Sequence, residues 1–168
     1  VLAALAANAL APQTRLHVFC DGARGDADID NVAAVRDVAH GARGFASVDV
    51  VERDANLGLA RSIIGGVSDV VGVDGRVIVV EDDIVTVPSF LTFMNAGLDR
   101  FADDDRVASV HGYLPALATP PSRPFFLRGA DCWGWATWQR AWTWFEPDGA
   151  KLLRQLEEGG LTRAFDVD

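Results

Sequence analysis

The strongest constraint on the fold is a run of four branched apolar residues, 77–80, that ends in three carboxylates, Glu81, Asp82 and Asp83. Such a run predicts a buried strand of a parallel sheet, and these sheets bind ligands just beyond the carboxyl ends of their strands. Adjacent carboxylates repel each other unless a hard divalent cation shares them with an anionic ligand such as a diphosphate. The segment therefore predicts a cation site for a phosphate-bearing substrate.

The same triplet has a plainer interpretation. Acidic residues after a strand are common in solvated loops, and they also favour the start of a helix. Pro88 and Ser89 follow closely and are typical of a helix N-terminus. The triplet alone leaves both interpretations open, so the rest of the chain has to decide between them.

Composition limits the class of protein. The 168 residues are 49% hydrophobic and 23% charged, which is typical of one globular domain. The net charge of −9 argues against nucleic acid or an anionic membrane as a partner. Two cysteines without metal-ligand spacing indicate a reducing compartment, and no apolar run is long enough for an integral membrane segment. We therefore expect a cytoplasmic location.

Helices and strands are predicted to alternate along the chain. Apolar periodicity predicts helices over residues 1–10, 28–40, 59–71, 89–101 and 148–158, and strands over 15–20, 47–51, 77–80 and 107–110, with a further short strand at 125–127. This alternation predicts the α/β class, with a mainly parallel twisted sheet flanked by helices. A helix precedes the first strand and the chain begins with Val1. We therefore expect a single, truncated domain over residues 1–168 that lacks the first strand of its sheet.

All five tryptophans lie between residues 133 and 144. A helix here would place Trp135, Trp138 and Trp142 on one face, as a stripe facing the core. Trp133 precedes that segment in a predicted loop with Asp131. A loop tryptophan can stack on the apolar face of a sugar while a neighbouring carboxylate binds its hydroxyls. The loop therefore indicates polyol recognition.

With these motifs in order, the chain resembles the GT-A class of nucleotide-sugar glycosyltransferases, which have a Rossmann-like fold. Residues 77–83 are similar to the strand and acidic DxD-equivalent motif of the N-acetylglucosaminyltransferase that starts complex N-glycans. Residues 56–61 are similar to the N-x-G stretch of family 2 glycosyltransferases, and residues 19–22 to their strand-end aspartate. Residues 125–135 are similar to the tryptophan region of related bacterial enzymes.

The resemblance implies a role for each of these carboxylates. Asp83 would bind Mn²⁺ or Mg²⁺ that bridges the donor diphosphate, and Asp82 and Glu81 would orient the cation or hold the ribose and sugar. The cation neutralises charge that grows on the leaving diphosphate. Asp21 would accept a hydrogen bond from the nucleotide base.

The resemblance also implies a nucleotide pocket lined by Asn56, Gly58 and Arg61. Gly58 would allow close approach of the backbone, and Arg61 would face phosphate or base. For Asn56 and Gly58 a plain helix cap is the alternative.

An inverting transfer needs a base that takes the proton of the acceptor hydroxyl. By position in the related motif, Asp166 or Asp168 is the candidate, and Asp131 competes with them. His111, at the end of a predicted strand, is a further candidate site residue.

The sequence therefore predicts metal-dependent, inverting transfer of a sugar from a UDP- or GDP-linked donor to a carbohydrate or glycoconjugate. Two other functions stay open. A sugar nucleotidyltransferase shares the sheet and the metal-binding acids but would begin with a glycine-rich basic loop. A non-catalytic carbohydrate-binding domain would use the tryptophans and ignore nucleotide and metal.

Overall fold

The computed structural model describes residues 1–116, 119 and 123–165. Their helices are α1 Leu2–Ala6, α2 Ile29–His40, α3 Leu59–Asp74, α4 Phe90–Arg100, α5 Gln139–Trp142, α6 Gly149–Glu158 and α7 Thr162–Phe165. The strands are β1 Arg15–Cys20, β2 Ser47–Glu52, β3 Arg76–Val79, β4 Ser109–His111 and β5 Trp135–Trp138. Short 3-10 helices span Ala11–Gln13 and Asp26–Asp28. The chain is thus a mixed α/β protein.

The strands form two sheets. β1 and β2 pair in parallel, with Arg15 opposite Ser47 and Cys20 opposite Glu52. In the second sheet β5 lies between β3 and β4 and is antiparallel to both. The predicted single, mainly parallel sheet is therefore not found in the described residues. Parallel ladder pairing there is confined to β1 and β2, because an antiparallel strand separates β3 from β4.

The tryptophan segment is the main error of the sequence prediction. Residues 135–138 form β5 rather than a helix, and only Gln139–Trp142 is helical. Alternation along β5 buries Trp138 beside α4, whereas the Trp135 ring lies 6.0 Å from that of Trp142. The three tryptophans therefore share no helical stripe. A strand with both edges paired and both faces covered carries no polar alternation, so periodicity could not separate it from a helix.

The other predicted elements differ mainly at their ends. The first helix ends at Ala6 instead of reaching residue 10, because a turn and a 3-10 helix prepare the entry into β1. The stretch 125–127 is not a strand. The spacing of Phe90, Phe93, Met94, Leu98 and Phe101 predicts one apolar side of the helix over 89–101, but Phe93 is 43% exposed and Leu91 is buried instead. Helices α2, α3 and α6 begin and end within three residues of the predicted positions.

The main core lies between α4 and the second sheet. Met94 and Leu98 of α4 are fully buried there with Ala136 and Trp138 of β5. Leu5 of α1 joins the same cluster, so α1 covers this face together with α4. Burial of a side chain the size of Met94 or Leu98 contributes about 1.5–3 kcal/mol.

Helix α3 covers the opposite face and contacts both sheets. Gly66 lies against the Phe19 ring of β1, where a Cβ would meet Phe19 Cδ2 at 3.0 Å. The close packing that two mid-helix glycines predict is thus found at Gly66. On the side of the second sheet, the Trp142 indole donates to Ser68 Oγ at 2.9 Å. α3 therefore holds the two sheets side by side, although no ladder joins β1 to β3 in the described residues.

Candidate functional site

Three polar segments meet at one end of the second sheet. Val79, the last residue of β3, pairs with Trp135, and so does His111, the last residue of β4. Trp135 is the first residue of β5. The acidic turn after β3 and the residues after β4 therefore flank the loop 131–134 on its two sides. This edge is where the sequence predicts ligand binding.

The acidic triplet forms a turn in which the Ile84 amide donates to the Glu81 carbonyl at 3.2 Å. Asp82 and Asp83 are exposed, and Glu81 is partly buried. Within the described residues no three His, Cys, Asp or Glu side chains are grouped so as to hold a metal ion. Mg²⁺ and related cations are commonly held by one or two carboxylates with substrate phosphates and water. Two exposed adjacent carboxylates fit a cation that arrives with a diphosphate.

Asp21 organises the turn between β2 and α3. Its Oδ2 accepts hydrogen bonds from the Leu57 and Gly58 amides, both at 3.0 Å. Asn56 Nδ2 donates to the Gly22 carbonyl at 3.0 Å. The structure thus brings together Asp21, Asn56 and Gly58, three residues that the resemblance assigns to nucleotide binding. Gly58 has φ +76, a conformation that favours glycine.

The same hydrogen bonds bear on which residue caps the N-terminus of α3. Gly58 is the N-cap residue of α3, so the helix-cap alternative holds for Gly58; it does not hold for Asn56, whose amide reaches back to Gly22. Asp21 instead satisfies the free amides of the turn from another element. Its second oxygen, Oδ1, is buried and has no hydrogen-bond partner in the described residues. Arg61 is exposed on the first turn of α3, and the described residues give it no ion pair or hydrogen bond.

Two clefts lie beside Asp21 and Gly22, against α2. The larger, about 400 Å³, is lined among others by Arg36, His40 and Glu52. The smaller, about 230 Å³, is lined by Asp21, Arg24 and Asn56 among others. Arg36, His40 and Glu52 are not predicted as site residues by the sequence. Their only local signal is that Arg36 and His40 are four residues apart on α2.

An ion-pair cluster fixes the wall of the larger cleft. Glu52 Oε2 forms an ion pair with Arg36 Nη1 at 3.0 Å, and Glu52 Oε1 lies 2.7 Å from His40 Nε2. The hydrogen bond from His40, together with the charge of Arg36, lowers the pKa of Glu52 against a smaller effect of burial. Burial raises the pKa of the nearby Cys20 thiol. Glu52 is therefore a charged carboxylate at neutral pH, and Cys20 is a thiol.

At the end of β4, His111 lies between two polar side chains. Ser109 Oγ is 2.7 Å from His111 Nε2, and Asp131 Oδ2 is 3.2 Å from His111 Nδ1. The latter pair is close but is not aligned as a hydrogen bond, and Nδ1 is buried. Asp131 Oδ1 accepts the Trp133 amide at 3.0 Å. The backbone of the loop thus fixes one oxygen of this carboxylate.

An aromatic pair lies beside these groups. The Tyr113 and Trp133 rings form a T-shaped contact with centroids 4.5 Å apart. Tyr113 is 43% exposed and Trp133 48% exposed, so much of each ring is open to solvent. Of the three candidate bases, Asp131 lies next to this pair, whereas Asp166 and Asp168 fall outside the described residues.

The helices of the described residues include none long and apolar enough to cross a membrane. Comparison of the chain with family models, with curated proteins and with solved structures finds no match.

Proposed function

We propose that the protein is a metal-dependent glycosyltransferase that moves a sugar from a UDP- or GDP-linked donor to a carbohydrate or glycoconjugate, with inversion. One observation carries the proposal: the acidic turn and His111 flank the Asp131–Trp133 loop, because β3 and β4 both pair with the start of β5. Carboxylates for a cation and an aromatic ring for a sugar therefore share one sheet edge.

The donor nucleotide is proposed to bind beside Asp21. Supporting this, Asp21 Oδ1 is a buried acceptor without a partner in the described residues, and the N–H of a nucleobase would satisfy it. Asn56 and Gly58 line the same turn. Arg61 follows on α3 with its guanidinium exposed, a group suited to phosphate.

The diphosphate is proposed to share Mn²⁺ or Mg²⁺ with Asp83. Asp82 and Glu81 would orient the cation or hold the ribose and the sugar. When bound, the cation offsets the charge that develops on the leaving diphosphate. Asp82 and Asp83 stand free at the surface, so each can bind the cation without breaking an existing ion pair in the described residues.

The fold proposed for this activity is the GT-A sheet. β1 and β3 would then flank one further strand. In support, both strands contact α3, and no ladder joins them in the described residues. A strand in that position would make one continuous sheet from the two observed.

Binding of UDP and GDP, measured by calorimetry with and without Mn²⁺, tests the proposal. The informative variant is Asp83→Asn, which removes the charge and keeps the size. We expect Mn²⁺ to strengthen binding of one nucleotide and Asp83→Asn to weaken that binding about tenfold or more, which is about 1.4 kcal/mol.

The matched control is Asp103→Asn. Asp103 is also an exposed aspartate in a turn, but it follows α4 at the amino end of β4, on the far side of the sheet. The Asp103→Asn variant should bind nucleotide as tightly as the parent protein does. Nucleotide binding that is absent, or indifferent to Mn²⁺ and to Asp83, contradicts the proposal. Saccharide binding in that case would favour the carbohydrate-binding alternative.

A further inference from the structure

His111 makes contacts that the proposed binding of the donor nucleotide and the cation does not require. Its imidazole is only 20% exposed and lies with Ser109 at one ring nitrogen and Asp131 at the other. A histidine on a strand often serves packing alone. Here one ring nitrogen lies against Ser109, two residues earlier on β4, and the other against Asp131 in the loop that holds Trp133.

Electrostatics selects one tautomer of this ring. A bare Nδ1 would turn its lone pair toward the Asp131 carboxylate 3.2 Å away, which is repulsive. A proton on Nδ1 removes that repulsion. The buried Nδ1 then presents an N–H to the Asp131 carboxylate. Nε2 is then the acceptor, and the Ser109 hydroxyl donates to it at 2.7 Å. Ser109 thus fixes the tautomer that points a proton at Asp131.

We propose that Asp131 takes the proton of the acceptor hydroxyl and that His111 is the residue that positions its carboxylate. This inference rests on the proposed function. The Trp133 amide holds Oδ1, and a proton on His111 Nδ1 would face Oδ2, which lies 3.2 Å away. Each oxygen keeps one lone pair for a further hydrogen bond.

Asp131, rather than His111, is the group that meets the substrate. His111 Nε2 is hydrogen-bonded to Ser109 and Nδ1 is buried, whereas the Asp131 side chain is 36% exposed and lies in the same loop as the half-exposed Trp133. A sugar ring stacked on that indole would bring its hydroxyls within reach of the neighbouring carboxylate.

The proposed transfer is a direct displacement at the anomeric carbon of the donor. The acceptor oxygen gives its proton to the Asp131 carboxylate and an electron pair to the anomeric carbon of the donor. The bond from that carbon to the diphosphate oxygen breaks, and its electron pair leaves with the diphosphate. Asp131 then returns the proton to water.

The first test reads the tautomer of His111 from the ¹⁵N chemical shifts of its imidazole at neutral pH. We expect a protonated Nδ1 and an accepting Nε2, with the Nδ1 signal shifted in Asp131→Ala and the Nε2 signal shifted in Ser109→Ala. This measurement needs neither nucleotide nor metal. A ring that is unchanged by Asp131→Ala overturns the inference whether or not the proposed function holds.

The second test separates positioning from structure. It follows release of UDP from UDP-glucose, or of GDP from GDP-mannose, with Mn²⁺ and with water in place of the acceptor hydroxyl. His111→Asn keeps an N–H near the position of Nδ1, whereas His111→Gln moves it toward that of Nε2. We expect His111→Gln to lower kcat on the order of a hundredfold with donor KM unchanged, and His111→Asn to restore most of it.

The tests distinguish failure of the positioning role of His111 from failure of the proposed function. Equal rates for the two His111 variants overturn the positioning role while nucleotide binding still supports the transferase. No release by the parent protein with bound nucleotide and Mn²⁺ also overturns it, because the same carboxylate would activate water. Absence of nucleotide binding contradicts the proposed function itself.

Discussion

Gly112 is a residue whose missing side chain shapes the candidate site. Its amide donates to the Gly134 carbonyl at 2.7 Å, which closes the end of β4 onto the loop before β5. A Cβ at this position would lie 2.5 Å from Cε2 of Phe90, a ring that is buried under the loop. The close approach of the two segments therefore requires glycine at residue 112.

Substitution of Gly112 by alanine is predicted to destabilise the protein. The added methyl group has to displace Phe90 from the core, which costs about 1–3 kcal/mol. Urea denaturation followed by tryptophan fluorescence measures this loss. The matched control is Gly72→Ala on α3, where nothing lies within 4 Å of an added Cβ.

Gly72→Ala should stabilise the protein by about 0.5–1 kcal/mol, because alanine favours a helix interior. Equal free energies of unfolding for the two variants would contradict the packing described at Gly112.

Residue identity predicted the Asp21 contacts only in part. Asp21, Asn56 and Gly58 were expected near one nucleotide pocket, and they do meet. The contact between Asp21 and the Leu57 amide spans 36 residues and depends on the parallel register of β1 and β2. The local sequence pattern does not determine which residues of β1 and β2 lie opposite each other. The hydrogen bonds of Asp21 therefore could not be predicted.

At the level of secondary structure, β5 determines how the candidate site is assembled. Trp138 is 5% exposed, its indole donates to the Leu98 carbonyl at 3.1 Å, and the Arg140 guanidinium lies 4.4 Å from its ring centre. Arg140 also donates to the carbonyls of Phe101, Ala102 and Val107. These bonds join the end of α4 to the strand that begins at the site.

Replacement of Trp138 by phenylalanine is predicted to cost about 1–3 kcal/mol, because it removes the indole hydrogen bond and part of the packed ring. Trp133→Phe makes the same chemical change at a half-exposed ring and should change stability by less than about 0.5 kcal/mol. Thermal unfolding of both variants checks the contrast. A larger effect at Trp133 would contradict the strand and favour a different packing of the tryptophans.

Elements with one apolar face were predictable, and β5 was not. Met94 and Leu98 follow helical spacing on α4, and both are fully buried as expected. Residues 135–138 carry no exposed polar face, because α4 covers one side, Trp142 of α5 packs against the other, and the hydroxyl of the buried Thr137 donates to the Ala108 carbonyl. Four such residues fit a strand or a helix equally, and only their pairing with β3 and β4 decides.

Across the whole molecule, helix α3 contacts both sheets. α3 does so on one face through Gly66 and Ser68. On the other face, Asn8, just after α1, reaches the start of α4. The alternation of helices and strands predicted the α/β class. The division into two sheets depends on contacts between residues far apart in the chain, and hydrophobic periodicity gives no information about such contacts.

Asn8 provides the most testable of these links. It is 3% exposed, and its Oδ1 accepts the Leu91 amide at 2.9 Å. Leu91 lies in the first turn of α4, where Ser89 makes no side-chain cap, so Asn8 caps that helix from 83 residues away. Asn8 Nδ2 donates to the Ala4 carbonyl at 3.0 Å and so ties the cap to α1.

Asn8→Ala is predicted to lower the free energy of unfolding by about 1–3 kcal/mol, because it leaves a buried amide without an acceptor. It should also speed hydrogen exchange in α1 and in the first turn of α4. The control, Asn95→Ala, removes a bond to Leu91 within α4 alone and should be nearly neutral. If exchange rises equally in both variants, α1 does not depend on this link.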